Sequence, residues 1–279
     1  MLPIIFGLSS ALTWGAADFC GGLASRKAKA YQAVFFGEAF GLAILLAAAF
    51  LSGEAPINLR SWLMCTIGGA ITTLGLLLLF QSMIKGQMSV AAPVSALLAA
   101  FLPVVAGTFT EGFPGVLTFI GFTLALAAIW FISQPEGGSK SLRLRLVDLS
   151  LPLLAGVCFG VYYILIRNGS RDGLFWPLVS SRLGGTLTMI LYALFTRQPL
   201  LPPRNVWPLA TLNGALDVTG NAFYVLAGHF GRMDVAAVLA SLYPGSTVVL
   251  AGLILRERLS RQQLAGILAA LAAIVLMTI

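Results

Sequence analysis

The run N-V-W-P-L-A-T-L-N-G-A-L-D-V-T-G-N-A-F-Y-V-L-A-G, from Asn205 to Gly228, decides how this chain is read. Its 24 residues would make a helix of roughly 36 Å, enough to cross a hydrocarbon core of about 30 Å. Asp217 sits at its middle. Asn213, Asp217 and Asn221 follow at i, i+4 and i+8, with Gly220 and Tyr224 close to the same line, so one polar stripe runs along an apolar cylinder. A charge at bilayer depth costs about 2.5 to 3.5 kcal/mol on insertion scales and turns toward a bundle interior or a watery cavity.

The whole chain shares this character. Hydrophobic residues make up 58% and charged residues 10% of the 279, with a mean hydropathy of +0.94, against about 25% charged in a soluble domain. The sequence predicts an integral membrane protein. Ten apolar segments cover nearly all of it: 3–23, 31–52, 61–83, 89–109, 113–133, 149–167, 174–195, 205–228, 233–254 and 261–279. The first has no basic residue before Arg26 and reads as a retained helix rather than a secretion signal. Cys20, Cys65 and Cys158 all fall inside apolar segments as small hydrophobes, with no metal or disulfide pattern. The net charge of +7 is a loop property and implies no nucleic-acid partner. Of the 17 Lys and Arg, 12 lie in the loops after segments 1, 3, 5, 7 and 9 and 4 in the alternate loops, which by the positive-inside rule puts both termini outside.

A repeat organises the segments. At an offset of 145, Gly15 falls on Gly160, Arg26 on Arg171, Trp62 on Trp207, Gly69 on Gly214, Gly75 on Gly220 and Gly86 on Gly231, while M-S-V-A-A at Met88–Ala92 falls on M-D-V-A-A at Met233–Ala237. Each half holds five segments, an odd number, so the second half must enter the membrane inverted. The predicted fold is an all-α membrane protein of ten transmembrane helices in two inverted five-helix repeats, residues 1–135 and 146–279, joined by the polar linker 134–148. Inverted repeats characterise secondary transporters, whose substrate sits near the midplane between halves that rock to give alternating access.

Thr13-Trp14-Gly15 in the first segment, the tenfold pattern in two halves, and the run L-Y-P-G-S-T-V-V-L-A-G-L-I-L-R-E-R-L from Leu242 to Leu259 resemble the EamA family of the drug/metabolite transporter superfamily. Pro244 and Glu257 match the family pattern; Glu111 with Gly112 echoes it in the first half, whereas Pro103 does not stand at the position equivalent to Pro244. The resemblance covers the entire chain. It implies a transporter, in a family that includes exporters of amino acids, drugs and other metabolites and importers of amines. It also implies cytoplasmic termini, against the loop-charge reading.

Four charges lie well inside segments: Asp18, Glu38, Arg182 and Asp217. Glu38 falls on Arg182 at an offset of 144, so the two form a candidate ion pair; Glu38 alone could instead snorkel to the interface. Trp14 and Asp18 share a helical face, an aromatic wall beside a carboxylate, which suits a cation. Tyr162 and Tyr163, counterparts of Ala17 and Asp18, approach the same space. Asp217, whose repeat partner is Thr72, fits two roles, a proton carrier exchanging with substrate and a holder of a cationic substrate. Pro244 and Pro93 are candidate gating hinges. His229, the single histidine, reads as a loop residue.

The expected substrate-binding set is thus Asp217, Asn213, Asn221, Tyr224, Trp14, Asp18, Glu38, Arg182 and Tyr163, on a wall built from segments 1, 2, 6, 7, 8 and 9. The expected function is secondary-active transport of a small organic metabolite, an amine or amino-acid-like solute, with export and proton coupling both in view. The expected setting is the inner membrane, with lipid bilayer, solute and protons as partners and no cofactor, as a monomer or a homodimer. A membrane-embedded enzyme using Asp18 and Asp217 as a dyad, or a sensor with the same cavity, is the alternative.

Overall fold

Apolar sequence with few internal breakers leaves the helix as the only way to pair backbone polar groups away from water, and helices are what form. The computed structural model describes residues 1–84, 88–132, 146–254 and 261–278. Among them no strand occurs, and the elements run α1 (Leu2–Lys27), α2 (Ala30–Ser52), α3 (Leu59–Ser82), α4 (Met88–Thr110), α5 (Val116–Ile132), α6 (Leu146–Gly169), α7 (Phe175–Thr196), α8 (Trp207–Phe230), α9 (Met233–Ala240), α10 (Tyr243–Ile254) and α11 (Arg261–Thr278). The linker 134–148 lies almost wholly outside the described residues, as do Lys85, Gly86 and Glu257.

Five described helices are long and apolar enough to cross a membrane: Leu2–Lys27, Ala30–Ser52, Leu59–Ser82, Ser150–Gly169 and Phe175–Thr196. The helix α8 is as long as α3, 24 residues, but is less apolar, because Asn213, Asp217 and Asn221 lie along it. It starts two residues later than the sequence predicts, after a 3-10 turn at Arg204–Val206.

Polar side chains mark the ends. The Asn58 carboxamide oxygen accepts the Ser61 N–H at 2.9 Å and opens α3, and Gly53, at φ +66°, closes α2. Glu54, beyond that glycine, crosses to the other half, where its carboxylate accepts the backbone N–H groups of Leu174, Phe175 and Trp176 at 3.0 to 3.2 Å and caps α7.

The segment 233–254, expected as one helix, is two. Ser241 N–H still reaches Ala237 O at 2.9 Å, but Leu242 N–H tightens onto Leu239 O at 3.2 Å, and Gly245 N–H onto Leu242 O at 2.9 Å. Pro244 has no N–H to donate, and its ring clashes with the carbonyl four residues back, so the ladder stops there. The second piece is fastened to α1: Ser246 Oγ donates to Ala11 O at 2.8 Å and Thr247 Oγ1 to Gly15 O at 3.1 Å.

Packing runs mostly between the halves and comes in exchangeable pairs. α1 lies along α8 as α6 lies along α3, α2 meets α8 as α7 meets α3, and α2 meets α7, α4 meets α9 and α5 meets α11. At one end of the bundle the α1–α2 turn meets the α7–α8 connection, with Lys29 Nζ on Gln198 Oε1 at 2.7 Å and Gln32 Nε2 on the carbonyls of Pro199 and Leu201. At the other, Arg232 between α8 and α9 donates to the Glu111 and Gly112 carbonyls between α4 and α5, and Glu111 Oε2 accepts the Met233 N–H at 3.1 Å. Glycine permits the closest crossings: a Cβ at Gly69 would collide with the Ser181 carbonyl, and one at Gly184 with that of Thr66, so α3 and α7 touch backbone to backbone.

Candidate functional site

The charges expected within the helices meet in one place. The cavity between the halves is lined by Trp14 and Asp18 from α1, Glu38 from α2, Thr72 and Leu76 from α3, Phe159, Tyr162 and Tyr163 from α6, Ser181 and Arg182 from α7, Asp217 and Asn221 from α8, and Tyr243 from α10. It holds about 510 Å³, counting all space between atoms and its opening.

Arg182 is the hub. Its Nη1 lies 2.9 Å from Glu38 Oε1 and its Nη2 pairs with Asp217 Oδ2, so one guanidinium joins an acid from each half. Arginine suits this task because its planar fork presents several donors in fixed directions. Around the pair the partners are placed in turn: Thr73 Oγ1 donates to Glu38 Oε1 at 3.2 Å, Asn221 Nδ2 to the Asp217 carbonyl at 2.7 Å and to its Oδ2 at 3.3 Å, and Tyr162 OH to Asn221 Oδ1 at 2.5 Å. On α8, Asn221 thus holds the carboxylate one turn before it. Glu38 is 3% exposed, which removes the interfacial snorkelling alternative.

Asp18 stands apart. It is 8% exposed and lines the same cavity, yet among the described residues nothing donates a hydrogen bond to its carboxylate. The cavity thus brings three carboxylates to one guanidinium.

The aromatic wall is a stack rather than a single ring. Trp14 and Tyr163 lie parallel, with centroids 5.4 Å apart and planes 3° apart, and Tyr224 stacks on Tyr163 at 4.7 Å. Gly220 makes this possible, since a Cβ there would come within 2.5 Å of the Trp14 ring. Tyr224 itself is 1% exposed and supports the wall from behind, its OH donating to the Tyr163 carbonyl at 3.3 Å. Asn213 likewise stands off the main cavity: its Nδ2 donates to the Ala17 carbonyl at 2.8 Å, holding α8 to α1 beside a second, smaller crevice that reaches Asp18, Glu38 and Asp217.

Pro244 is buried at the break between α9 and α10, next to Tyr243 on the cavity wall. Pro93 falls within α4, but its side chain lies outside the described residues. His229, at the end of α8, meets the Ser170 carbonyl at 2.5 Å, away from the site. Among the described residues no group of His, Cys, Asp and Glu is arranged for a metal.

Sequence reasoning left α3 out of the wall, although exchanging the halves makes it the counterpart of α8; Thr72 and Leu76 could have been found that way. Ser181, beside Arg182, and Tyr243, beside Pro244, carried only adjacency as a signal. Phe159 carried none.

A sequence model described as the EamA-like transporter family matches residues 1–134 and 148–279, one copy in each half. A solved structure, described only as a crystal structure of a protein, superposes with a TM-score of 0.78 at 16% identity, covering 99% of this chain and 96% of its own; at that identity the likeness is one of fold. Comparison with curated proteins gives no match.

Proposed function

The chain belongs to the EamA-like transporter family, a family of membrane transporters, and from that premise we propose that it carries a small organic cation or zwitterion, amine or amino-acid-like, through the cavity around Arg182 by secondary-active alternating access. The observation that carries this reading is the charge balance of the cavity. Glu38, Asp217 and Asp18 bring three negative charges when ionised against one positive charge on Arg182, an excess of two. In a low-dielectric interior such an excess must be met by positive charge held close. Protons and a substrate ammonium group are interchangeable in that role, which is the basis for exchange of one against the other. Trp14 and Asp18 line one cavity, an aromatic ring beside a carboxylate, a pairing suited to an ammonium group.

The architecture proposed with it is ten spans in two inverted five-helix repeats, residues 1–135 and 146–279, in the inner membrane. The exchangeable pairing of α1 on α8 with α6 on α3, and the meeting of alternate loops at opposite ends of the bundle, support that arrangement. The break before Pro244 supplies the hinge.

Thermal stability of the purified protein against a panel of amines, amino acids, sugars and organic anions, for wild type and Asp18→Asn at two pH values, tests the reading. A cation that stabilises wild type, and does so at least about tenfold less tightly after Asp18→Asn, supports it. Stabilisation by organic anions alone, unchanged by Asp18→Asn, removes it. In proteoliposomes, flux of the identified solute indifferent to an imposed pH gradient would remove the proton and leave the cation.

A further inference from the structure

The repeat exposes a second site, at the opposite end from Glu54. At an offset of 145, Phe175 and Trp176 at the start of α7 correspond to Ala30 and Tyr31 at the start of α2. The amides of Phe175 and Trp176 bind the Glu54 carboxylate. Their counterparts do not receive one. At that offset Glu54 falls on Pro199, which has no carboxylate; the oxygen of Gln198 beside it is used by Lys29 Nζ, and Lys29 N–H turns instead to Gln32 Oε1 at 3.2 Å. Among the described residues the N–H groups of Ala30 and Tyr31 meet no acceptor.

Two buried hydroxyls at the same place are also unpartnered. Ser25 Oγ and the Tyr31 hydroxyl have no hydrogen-bond partner among the described residues, although Ser25 is 3% and Tyr31 6% exposed. A buried hydroxyl left unpaired keeps the desolvation penalty of burial with nothing to offset it. Both residues line one open crevice, together with Ala30 and with Arg26 and Lys29. The groups gathered there are two amides at a helix start, two hydroxyls, a guanidinium and an ammonium, all able to donate.

We propose that this crevice, between the α1–α2 turn and the end of α7, binds a phosphate group. Glu54 does for α7 with a carboxylate of the chain what this ligand does for α2 with an anion from outside. The tetrahedral array of acceptor oxygens on a phosphate matches donors arriving from several directions, which a planar carboxylate matches less well. The crevice lies at an end of the bundle, where lipid headgroups lie, and basic pockets between membrane helices are recognised sites for anionic headgroups. Because α2 carries Glu38, the ligand would set the position of one acid of the central trio while taking no part in it.

The test uses the full chain, purified in neutral detergent. Thermal stability and native mass spectrometry are read with short-chain phosphatidylglycerol, with short-chain phosphatidylcholine and with inorganic phosphate, for wild type, Tyr31→Phe, the Ser25→Ala/Tyr31→Phe pair and Lys29→Gln. Phosphatidylglycerol bound in preference to phosphatidylcholine, and about tenfold more weakly by the paired variant, identifies a lipid headgroup. Inorganic phosphate bound alone, with the same loss, identifies a free phosphate. Equal binding of the two lipids without phosphate binding, no binding of any probe, or binding of equal strength in all variants overturns the proposal. Tyr31→Phe keeps the ring contact with Tyr192 at 5.5 Å, so its stability without ligand shows that lost binding is not lost folding.

Discussion

Helices α3 and α8 are the same element in the two halves, yet only α8 brings a charge to the cavity. Both lie against the first two helices of the opposite half, α3 on α6 and α7, α8 on α1 and α2. Their small residues coincide, Gly69 with Gly214 and Gly75 with Gly220. Where α8 has Asn213, Asp217 and Asn221, α3 has Gly68, Thr72 and Leu76. The duplicated features are those that let helices approach, and of the unduplicated ones Asp217 and Asn221 line the cavity while Asn213 holds α8 to α1. A two-fold scaffold thus holds a site with no two-fold symmetry, and its acids are divided between halves: Asp18 and Glu38 from the first, Asp217 from the second, with the sole guanidinium also from the second.

The strongest way to break that asymmetry is to remove the hub. Arg182→Leu leaves Glu38 and Asp217 buried without a counter-charge, and breaking a buried pair costs about 3 to 5 kcal/mol. The unfolding temperature is expected to fall by about 10 °C, with transport abolished. Exchanging the pair, as Glu38→Arg with Arg182→Glu, keeps the net charge and uses positions nearly equivalent under the repeat; part of the lost stability should return, but not transport, because Asp217 would then face an acid on its own side. Wild-type transport by the exchanged pair would show that only the charge sum matters, and not where each charge stands.

A smaller effect separates the counterparts themselves. Asp217→Asn keeps shape and removes the charge that Arg182 and Asn221 hold; losing a charge-assisted bond of about 1.5 to 3 kcal/mol corresponds to transport slower by about 100-fold. Thr72→Val also alters a cavity residue, at the equivalent place on α3, and should change the rate by less than about threefold. Initial rates at saturating solute, normalised to protein inserted, give the ratio. Comparable losses would place the function of α8 in its packing.

How much of this was legible in the sequence follows from the same division. The helices, the duplication and the depth of the charges were, because apolar length, a fixed offset and position along a helix are properties of the chain itself. The meeting of Glu38 with Arg182 was visible as a nearly equivalent pair, offset by 144 rather than 145. What the sequence withheld was rotation. Asn213 and Asn221 sit on the same stripe as Asp217, yet Asn213 turns to the Ala17 carbonyl of α1, whereas Asn221 turns to Asp217 and accepts from Tyr162 of α6, because different helices stand beside the two turns. Tyr224 was legible as polar and not as the back of a stack, because its role depends on Trp14 and Tyr163 from two other helices. The break in 233–254 was half legible: Pro244 named the place, but a proline in a long helix can bend it as well as end it.

The finest test lies in two glycines related by the same offset of 144 as the ion pair, Gly41 and Gly185. A Cβ at Gly185 would come within 2.6 Å of Glu38 Oε2 and collide with Thr73 Oγ1; one at Gly41 would come within 2.7 Å of Val218 Cγ2 and remain 3.5 Å from Arg182 Nε. Adding a methyl to a filled interior costs about 1 to 3 kcal/mol, and both positions are open to that cost. They differ in what must give way. At Gly41 it is one methyl of a valine, which a small tilt relieves. At Gly185 it is the Thr73 hydroxyl and the Glu38 carboxylate that it and Arg182 hold, so relief disturbs the 3.2 Å hydrogen bond or the 2.9 Å pair. Gly185→Ala should therefore lower transport several-fold more than Gly41→Ala at a similar loss of thermal stability. An equal or larger loss of transport in Gly41→Ala would mean that the cavity answers to helix spacing before it answers to the placement of Glu38.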